Sequence, residues 1–589
     1  MSGLLAGVPR CAWLAAPEAG PGAWWRFAAP RGAFAAAGPA EVPALLAEVE
    51  RATARGLWAV GFVAYEAAPG FDRALTVAGP PASPVAAFGL FDAPEPTAAP
   101  GATEARAAVT GLAPALGAAE HAAAVAEVRA AIARGDTYQV NLTFPLRGRL
   151  EGSPEALFAA LAPAARAPYA AFLDLGARAI VSLSPELFFE RDAGRLRMRP
   201  MKGTRRRGRF AEEDAGRAAE LAGAEKDRAE NLMIVDMARN DLGRLARPGS
   251  VEVARLFDLE RYPTVWQMTS TVTASSDAAL PEIFAALFPC ASVTGAPKAA
   301  TMRAIAALER RPRGLYCGAI GYVAPGRRAR FSVAIRTAEI ERASGALVYG
   351  VGSGVVWDSH AGEEWRECLA KGAALEVVEP FRLFETMLHH PRRGTLRRDR
   401  HLARLAASAA HFGFALDAAG ARAALEAATR GLGPGLQRVR LELAQDGAVA
   451  VSTAPFPRER RGWTVALAGE PVDAADPFLF HKTTRRGVYD RALAAARARG
   501  ADEPLLANRA GELTEGARTN LVVEIGGRRF TPARECGLLA GVFRAGLLAR
   551  GRVEERVLTR ADLSRASRLW MVNALRGWIP VERLLDVGS

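Results

Sequence analysis

A chain of 589 residues, half hydrophobic and 24% charged, has the composition of an ordinary globular protein and is too long for a single core, so three or four domains or subdomains are expected. Its net charge of +13 and pI near 10 raise nucleic acid and membrane surfaces as partners. The arginines are scattered, with no long basic run, no nucleic-acid motif and no apolar span of about 18 residues, so neither is expected and the charge is ascribed to anionic small substrates and an Arg-rich base composition.

In chain order, residues 1 to about 110 alternate short apolar stretches with Gly/Pro turns and are expected to form a subdomain, 56–72 being a buried strand and then a turn. Residues 94–117, rich in Pro, Ala and Gly, predict a loop or linker. A helix over 120–134 stops at Gly135, and G-D-T-Y-Q-V-N-L-T-F reads as a turn and a strand. Residues 182–190 and 196–198 are expected to pair and to deliver 200–208 as a Gly- and Arg-rich loop. A helix follows over 225–238, then strands over 330–340 and 345–356 and a helix over 362–378. Around 378–382 the alternation restarts without repeating the first set. A boundary is therefore expected between 1–378 (subdomain 1–110, core 118–378) and 380–589, with no true linker. The five cysteines, Cys11, Cys290, Cys317, Cys368 and Cys536, are odd in number and far apart, which predicts reduced cytosolic thiols. The N-terminus has no basic n-region before an apolar core, so export is not expected.

Of 76 basic residues only five are lysine: Lys202, Lys226, Lys298, Lys371 and Lys482. Arg serves wherever a generic charge suffices, so the surviving lysines point to what Arg cannot do: lose a proton and act as a nucleophile or form a Schiff base. Lys202 lies in R-P-M-K-G-T-R-R-R-G. Asp227 and Glu230 are three apart on one predicted helix, Glu364 and Glu367 on another, and each pair shares a helix face. If the pairs face each other they make a four-carboxylate site for a hard cation such as Mg²⁺, although solvated faces are the commoner use of this spacing. Y-G-V-G-S-G (349–354) and S-V-T-G-A-P-K (292–298) present backbone N–H groups to an anion, and Arg336 offers a carboxylate clamp. Together these imply a small polyanionic substrate.

The motifs G-D-T-Y-Q-V-N-L, P-M-K-G-T-R-R-R-G, D-R-A-E-N-L-M-I-V-D-M-A-R-N-D-L-G-R, S-V-T-G-A-P-K, A-I-R-T and G-V-G-S-G-V-V-W-D-S, in this order over residues 1–378, resemble the chorismate-utilising enzymes. These include the anthranilate, aminodeoxychorismate, isochorismate and salicylate synthases. The resemblance implies a two-sheet sandwich in which Glu230 and Glu367 hold Mg²⁺ and Asp227 and Glu364 hold its water shell. It also implies that Arg336, Gly350 and Gly352 bind a carboxylate of chorismate and that Thr294, Gly295, Lys298, Tyr349 and Lys371 line the pocket. Anthranilate synthases usually carry P-I-A-G-T where this chain has P-M-K-G-T. The P-I-K-G-T of the aminodeoxychorismate synthases supplies a lysine that attacks C2 of chorismate. Gln267, in V-W-Q-M-T-S, stands where anthranilate synthases place a catalytic His, and a neutral amide is no acid–base.

In the second unit, Lys482 follows the aromatic run F-L-F, so burial and a lowered pKa are expected. Glu515 precedes an apolar strand, and a helix opens after Gly541 as a phosphate cup. Amine, carboxylate and phosphate cup are what pyridoxal phosphate requires. L-F-E-T-M, R-H-L-A-R-L, H-K-T-T-R-R-G-V-Y-D, L-T-E-G-A-R-T-N-L, G-L-L-A-G-V-F-R and N-A-L-R-G resemble the fold-type IV pyridoxal-phosphate enzymes, namely branched-chain and D-amino-acid aminotransferases and aminodeoxychorismate lyase. By that resemblance Lys482 forms the Schiff base, Glu515 pairs with the ring nitrogen, Arg404 and the Val542 backbone bind phosphate, and Thr386 and Tyr489 line the pocket.

The fold class expected is α+β: a chorismate-binding α/β sandwich followed by a two-subdomain fold-type IV unit. The fusion implies a cytoplasmic bifunctional enzyme that aminates chorismate at C4 and then eliminates pyruvate, giving 4-aminobenzoate for folate synthesis. No Cys sits in a G-x-C-x-G context, so ammonia is expected free or from a separate glutamine amidotransferase subunit. Fold-type IV enzymes pair through this unit, which implies a homodimer. The competing readings are an anthranilate or isochorismate/salicylate synthase joined to an aminotransferase, and a non-catalytic scaffold, which predicts loss of the motif residues.

Overall fold

The structure is a computed structural model that describes residues 7–17, 20, 22–80, 84–98, 100, 107–376, 380–456 and 462–585. It divides into two compact units, Met1–Arg206 with Ala218–Val378, and Arg207–Arg217 with Glu379–Ser589. Residues 377–379, on which the expected boundary falls, lie outside the described residues. The inclusion of 207–217 in the second unit was not foreseen, because no shift in composition marks that segment.

The first unit is built on two ten-stranded sheets whose pairings are all antiparallel. In one, Gln139–Glu151 pairs with Ala346–Val355 from Val140↔Val355 to Arg149↔Ala346. Their apolar residues, such as Phe144, Leu146, Leu347 and Val351, pack against Leu157, Phe158 and Cys368. In the other, Met201–Arg206 is the end strand of the main path and pairs with Val265–Ser275. The helix Glu225–Gly243 lies against both of these strands. It buries Asn231, Ile234, Val235, Ala238, Asp241 and Leu242, a spacing of three and four that keeps one stripe inward and leaves the acidic positions at its start outside it.

Several sequence expectations need correction. Residues 200–208 are largely a strand, Met201–Arg206, because ladder bonds to Val265–Ser275 capture it. Residues 182–190 divide between Arg178–Ser184 and Leu187–Asp192, which belong to different sheets, and only the latter pairs with Arg195–Arg199. Residues 330–340 likewise divide into Arg328–Val333 and Thr337–Glu341, with Arg336 between them at φ +50°. The glycines of 349–354 lie within the strand Ala346–Val355. Part of the expected linker is strand, Glu95–Thr97 and Ala108–Pro114, and 99 and 101–106 lie outside the described residues.

The second unit contains a four-stranded antiparallel sheet that includes Leu383–His390, packed on the helix Arg398–Phe412. A seven-stranded mixed sheet includes Asn520–Ile525. Phe210 of the 207–217 segment is buried with Val472, Leu479, Phe480, Tyr489 and Leu506. Among the described residues no helix is long and apolar enough to cross a membrane.

Candidate active sites

Lys202 is held by its backbone. Asn231 Nδ2 donates to the Lys202 carbonyl at 3.1 Å, and Gln267 Nε2 donates to the Gly203 carbonyl at 2.9 Å. The strand register breaks between Met201 and Thr204, where Gly203 takes φ +99°, a left-handed conformation that glycine adopts without steric cost. Lys202 Nζ thus stands 3.3 Å from Glu230 Oε2. Opposite it is Gly354, where a Cβ would meet Lys202 Nζ at 2.9 Å and Gln139 Nε2 at 3.1 Å, so the missing side chain keeps room beside the amine.

Glu367 belongs to the same constellation. Partial desolvation opposes its ionisation, but the Lys371 ammonium, its hydrogen bond and then Lys202 hold this half-exposed carboxyl below the usual carboxylate range. Lys371 Nζ donates to Glu367 Oε1 at 2.8 Å and to the Gly352 carbonyl at 2.6 Å, while the Tyr349 hydroxyl donates to the Lys371 carbonyl at 3.1 Å. Asp227 pairs with Arg205 at 2.7 Å. Glu364 is felt by His121, whose pKa burial lowers against that carboxylate's pull. Among the described residues no three His, Cys, Asp or Glu converge as a metal cluster, so the expected four-carboxylate arrangement is not assembled. Lys202 is ion-paired with Glu230 and also acts electrostatically on Glu367. Two carboxylates suffice for Mg²⁺, which fills its remaining positions with water and substrate oxygens, so the oxygen donor set fits that ion.

The remaining expected residues are spread more widely. Arg336 acts electrostatically on Glu186 and Tyr349. The Thr294 hydroxyl donates to the Cys290 carbonyl at 3.0 Å, and Lys298 Nζ contacts Asp241 Oδ2 at 3.3 Å and the Leu287 carbonyl at 3.1 Å. Gly295, Gly350 and Gly352 answer to packing: a Cβ would lie 1.9 Å from the Gln139 carbonyl, 2.1 Å from the Tyr316 ring and 2.8 Å from the Leu142 carbonyl, respectively.

Sequence reasoning missed Glu186 and Gln139. Glu186 is buried and its Oε1 has no hydrogen-bond partner. Burial pushes its carboxyl up to about 7, against the lowering pull of Ser292, Lys202 and Arg336. Gln139 is also buried beside Lys202, with Oε1 unpartnered. Glu186 falls within 182–190, expected only as a strand, and Gln139 within G-D-T-Y-Q-V-N-L, in which no residue was singled out.

In the second unit, the Lys482 carbonyl accepts from the Phe384 N–H at 3.0 Å, and Nζ lies 4.6 Å from the Phe384 ring centre. Burial pushes the Lys482 amine down to about 7; Arg404 adds to this and Glu385 opposes it. Thr386 is two residues from Phe384 and shares its strand face. Glu515 is fully enclosed, and burial pushes its carboxyl up to about 7. It accepts from the Tyr489 hydroxyl at 2.7 Å, the Leu539 N–H at 3.0 Å and Asn520 Nδ2 at 3.1 Å. Asn520 approaches Gly541 so closely that a Cβ there would lie 2.1 Å from its Oδ1. Gly541 caps the short helix Val542–Leu548, and Arg404 Nη1 donates to the adjoining Ala540 carbonyl at 3.1 Å. A half-buried amine whose pKa is pushed down, a buried acid and an arginine beside a helix start fit pyridoxal phosphate.

Residues 23–376 match the chorismate binding enzyme family. The chain belongs to that family. Residues 382–584 match the class IV amino-transferases. Chorismate-binding enzymes usually use Mg²⁺, and class IV aminotransferases use pyridoxal phosphate. An aminodeoxychorismate synthase of Streptomyces griseus is 46% identical over 247 residues, 41% of this chain and 34% of that one. Aminodeoxychorismate synthase component 1 of Salmonella typhimurium is 42% identical over 247 residues, 42% of this chain and 54% of the relative. The chain thus spans only a third to a half of the length of these relatives. The crystal structure of anthranilate synthase component I from Streptococcus pneumoniae has the same fold as the first unit, with a TM-score of 0.50 at 22% identity over 63% of this chain and 91% of that one.

Proposed function

We propose that the chain makes 4-aminobenzoate in two steps, aminating chorismate at C4 and then eliminating pyruvate from the 4-amino-4-deoxychorismate formed. The observation that carries the reading is Lys202, poised between Glu230 and the buried Glu186 in a chorismate-binding enzyme whose curated relatives include aminodeoxychorismate synthases. Attack of the neutral Nζ on ring C2 shifts the two ring double bonds toward C4 and breaks the C4–O bond. Glu186, protonated near neutral pH, gives its proton to the departing hydroxyl. Ammonia then attacks C4, the double bonds shift back, the C2–Nζ bond breaks with its electron pair to Nζ, and the proton shed by the new C4 ammonium returns to Glu186. Gln139 Oε1 offers an acceptor beside the amine. Glu230 and Glu367 would hold Mg²⁺, a Lewis acid for the ring carboxylate. Arg336 would hold a second carboxylate, with Tyr349, Gly350, Gly352 and Lys371 around the ring.

In the second unit, pyridoxal phosphate would supply an electron sink for the elimination. Lys482 would hold its carbonyl carbon and supply an amine to move protons at Nζ, Glu515 would face the ring nitrogen, and Arg404 with the Val542 backbone would orient the phosphate. A separate glutamine amidotransferase subunit would deliver ammonia, and the second unit would form a homodimer. The class IV match favours a second reading of this unit as an amino-acid aminotransferase.

The test is product identity from the purified chain given chorismate, Mg²⁺, ammonium and pyridoxal phosphate. 4-Aminobenzoate with pyruvate supports both steps. Anthranilate, isochorismate or salicylate would overturn the first. Aminodeoxychorismate that accumulates unless an α-keto acid is added would favour the second reading.

A further inference from the structure

Glu385 is a buried carboxylate that the proposed chemistry leaves unused. It lies on Leu383–His390, is 1% exposed and accepts three hydrogen bonds. Arg404 Nε reaches Oε1 at 2.8 Å, Arg404 Nη2 reaches Oε2 at 2.7 Å, and His401 Nδ1 reaches Oε2 at 2.6 Å. Both Arg404 and His401 come from the helix Arg398–Phe412, so the carboxylate pins that helix to the strand through two side chains one turn apart.

The guanidinium inventory shows what this does. Arg carries five N–H donors in a planar fork. Glu385 takes one from Nε and one from Nη2, and the Ala540 carbonyl takes one from Nη1. One proton on Nη1 and one on Nη2 remain, both at the end of the fork away from the Glu385 edge, where a phosphate oxygen can accept them. Ala540 directly precedes Gly541, the N-cap of the helix Val542–Leu548, so the same contacts set this edge beside the backbone of that turn.

We propose that Glu385 is the positioning residue for the phosphate arginine of the second unit, fixing through its two-pronged bond which edge of Arg404 is left for the cofactor's 5′-phosphate. This rests on the pyridoxal-phosphate reading above. Without the carboxylate the guanidinium keeps its charge but loses its orientation. Charge alone would tighten phosphate binding, whereas orientation predicts the opposite, so the sign of the effect separates the two.

The experiment titrates the cofactor-stripped full chain with pyridoxal phosphate and with pyridoxal, reading bound-cofactor absorbance, for the native chain, Glu385→Gln and Glu385→Asp. Asp keeps the charge but falls one methylene short of both Arg404 nitrogens. The preference for pyridoxal phosphate over pyridoxal should contract about tenfold or more in both variants, the size of one charge-assisted hydrogen bond, with pyridoxal affinity retained. A preference that is unchanged or larger, or an equal loss of both ligands, would overturn the proposal. A native chain that binds neither ligand, or whose binding survives Lys482→Ala, would instead sink the cofactor reading on which it rests.

Discussion

At the scale of single residues, the two proposed chemistries depend on groups whose protonation burial has shifted toward neutrality. Glu186 has its carboxyl pushed up to about 7, so the native state holds a proton that the unfolded chain releases from about pH 4.5 upward. Its contribution to stability is therefore present in acid and lost as pH rises across that window. Glu186→Gln, a neutral mimic, should flatten that part of the stability-versus-pH curve of the first unit. The same substitution should slow amination by about 10²–10⁴-fold, because an amide cannot donate the leaving-group proton. In the native chain amination should fall above pH 7. A pH profile that stays flat to pH 9, or a Gln variant with native turnover, would remove Glu186 from the mechanism. Lys202, Lys482 and Glu515 were legible in the sequence because motif and residue type coincide there. Glu186, between two strands, and Glu385, within one, were not, since a lone carboxylate reads as solvent-facing until its neighbours are known.

At the scale of elements, the segment 207–217 links the chain of the lysine strand to the second unit. Phe210 is buried against Phe480, with ring centres 5.3 Å apart, and Arg209 Nη1 donates to the Ala474 carbonyl at 2.9 Å. The neutral ring of His481, its pKa pushed down to about 3 by burial with His411 adding, accepts nothing at Nε2 but donates there to the Arg209 carbonyl at 3.0 Å. This anchors the residue directly before Lys482. Phe210→Ala should destabilise the second unit by about 3–5 kcal/mol through the cavity it leaves, lowering that unit's melting transition and its retention of pyridoxal phosphate. A shift confined to the transition of the first unit would show that the segment has been placed in the wrong body. Helix and strand existence was largely readable from periodicity, as for 120–134 and 225–238. The strand Met201–Arg206 was misread as a loop because Gly and Arg depress its β signal, and pairing with a distant strand overrides that local preference.

At the scale of the whole molecule, two sites on one chain should be separable by mutation. Lys202→Ala should abolish aminodeoxychorismate formation, or divert it to anthranilate, while bound-cofactor absorbance persists. Lys482→Ala should erase that absorbance and let aminodeoxychorismate accumulate, as product chromatography would show. If each variant lost both steps, the assignment of one step to each unit would be wrong.

The sequence by itself determined the two families, the five lysines worth testing and most of the regular elements, because motif order and hydrophobic period are local properties of a chain. The tertiary structure decided which of those residues meet. It set Lys202 against Glu230 within electrostatic reach of Glu367, left Asp227 with Arg205 and Lys298 with Asp241, and drew 207–217 into the second unit. It also buried Glu186, Glu385 and Glu515, and in doing so tuned them. Desolvation and pairing depend on what distant segments bring to a site, and no spacing along the chain encodes that.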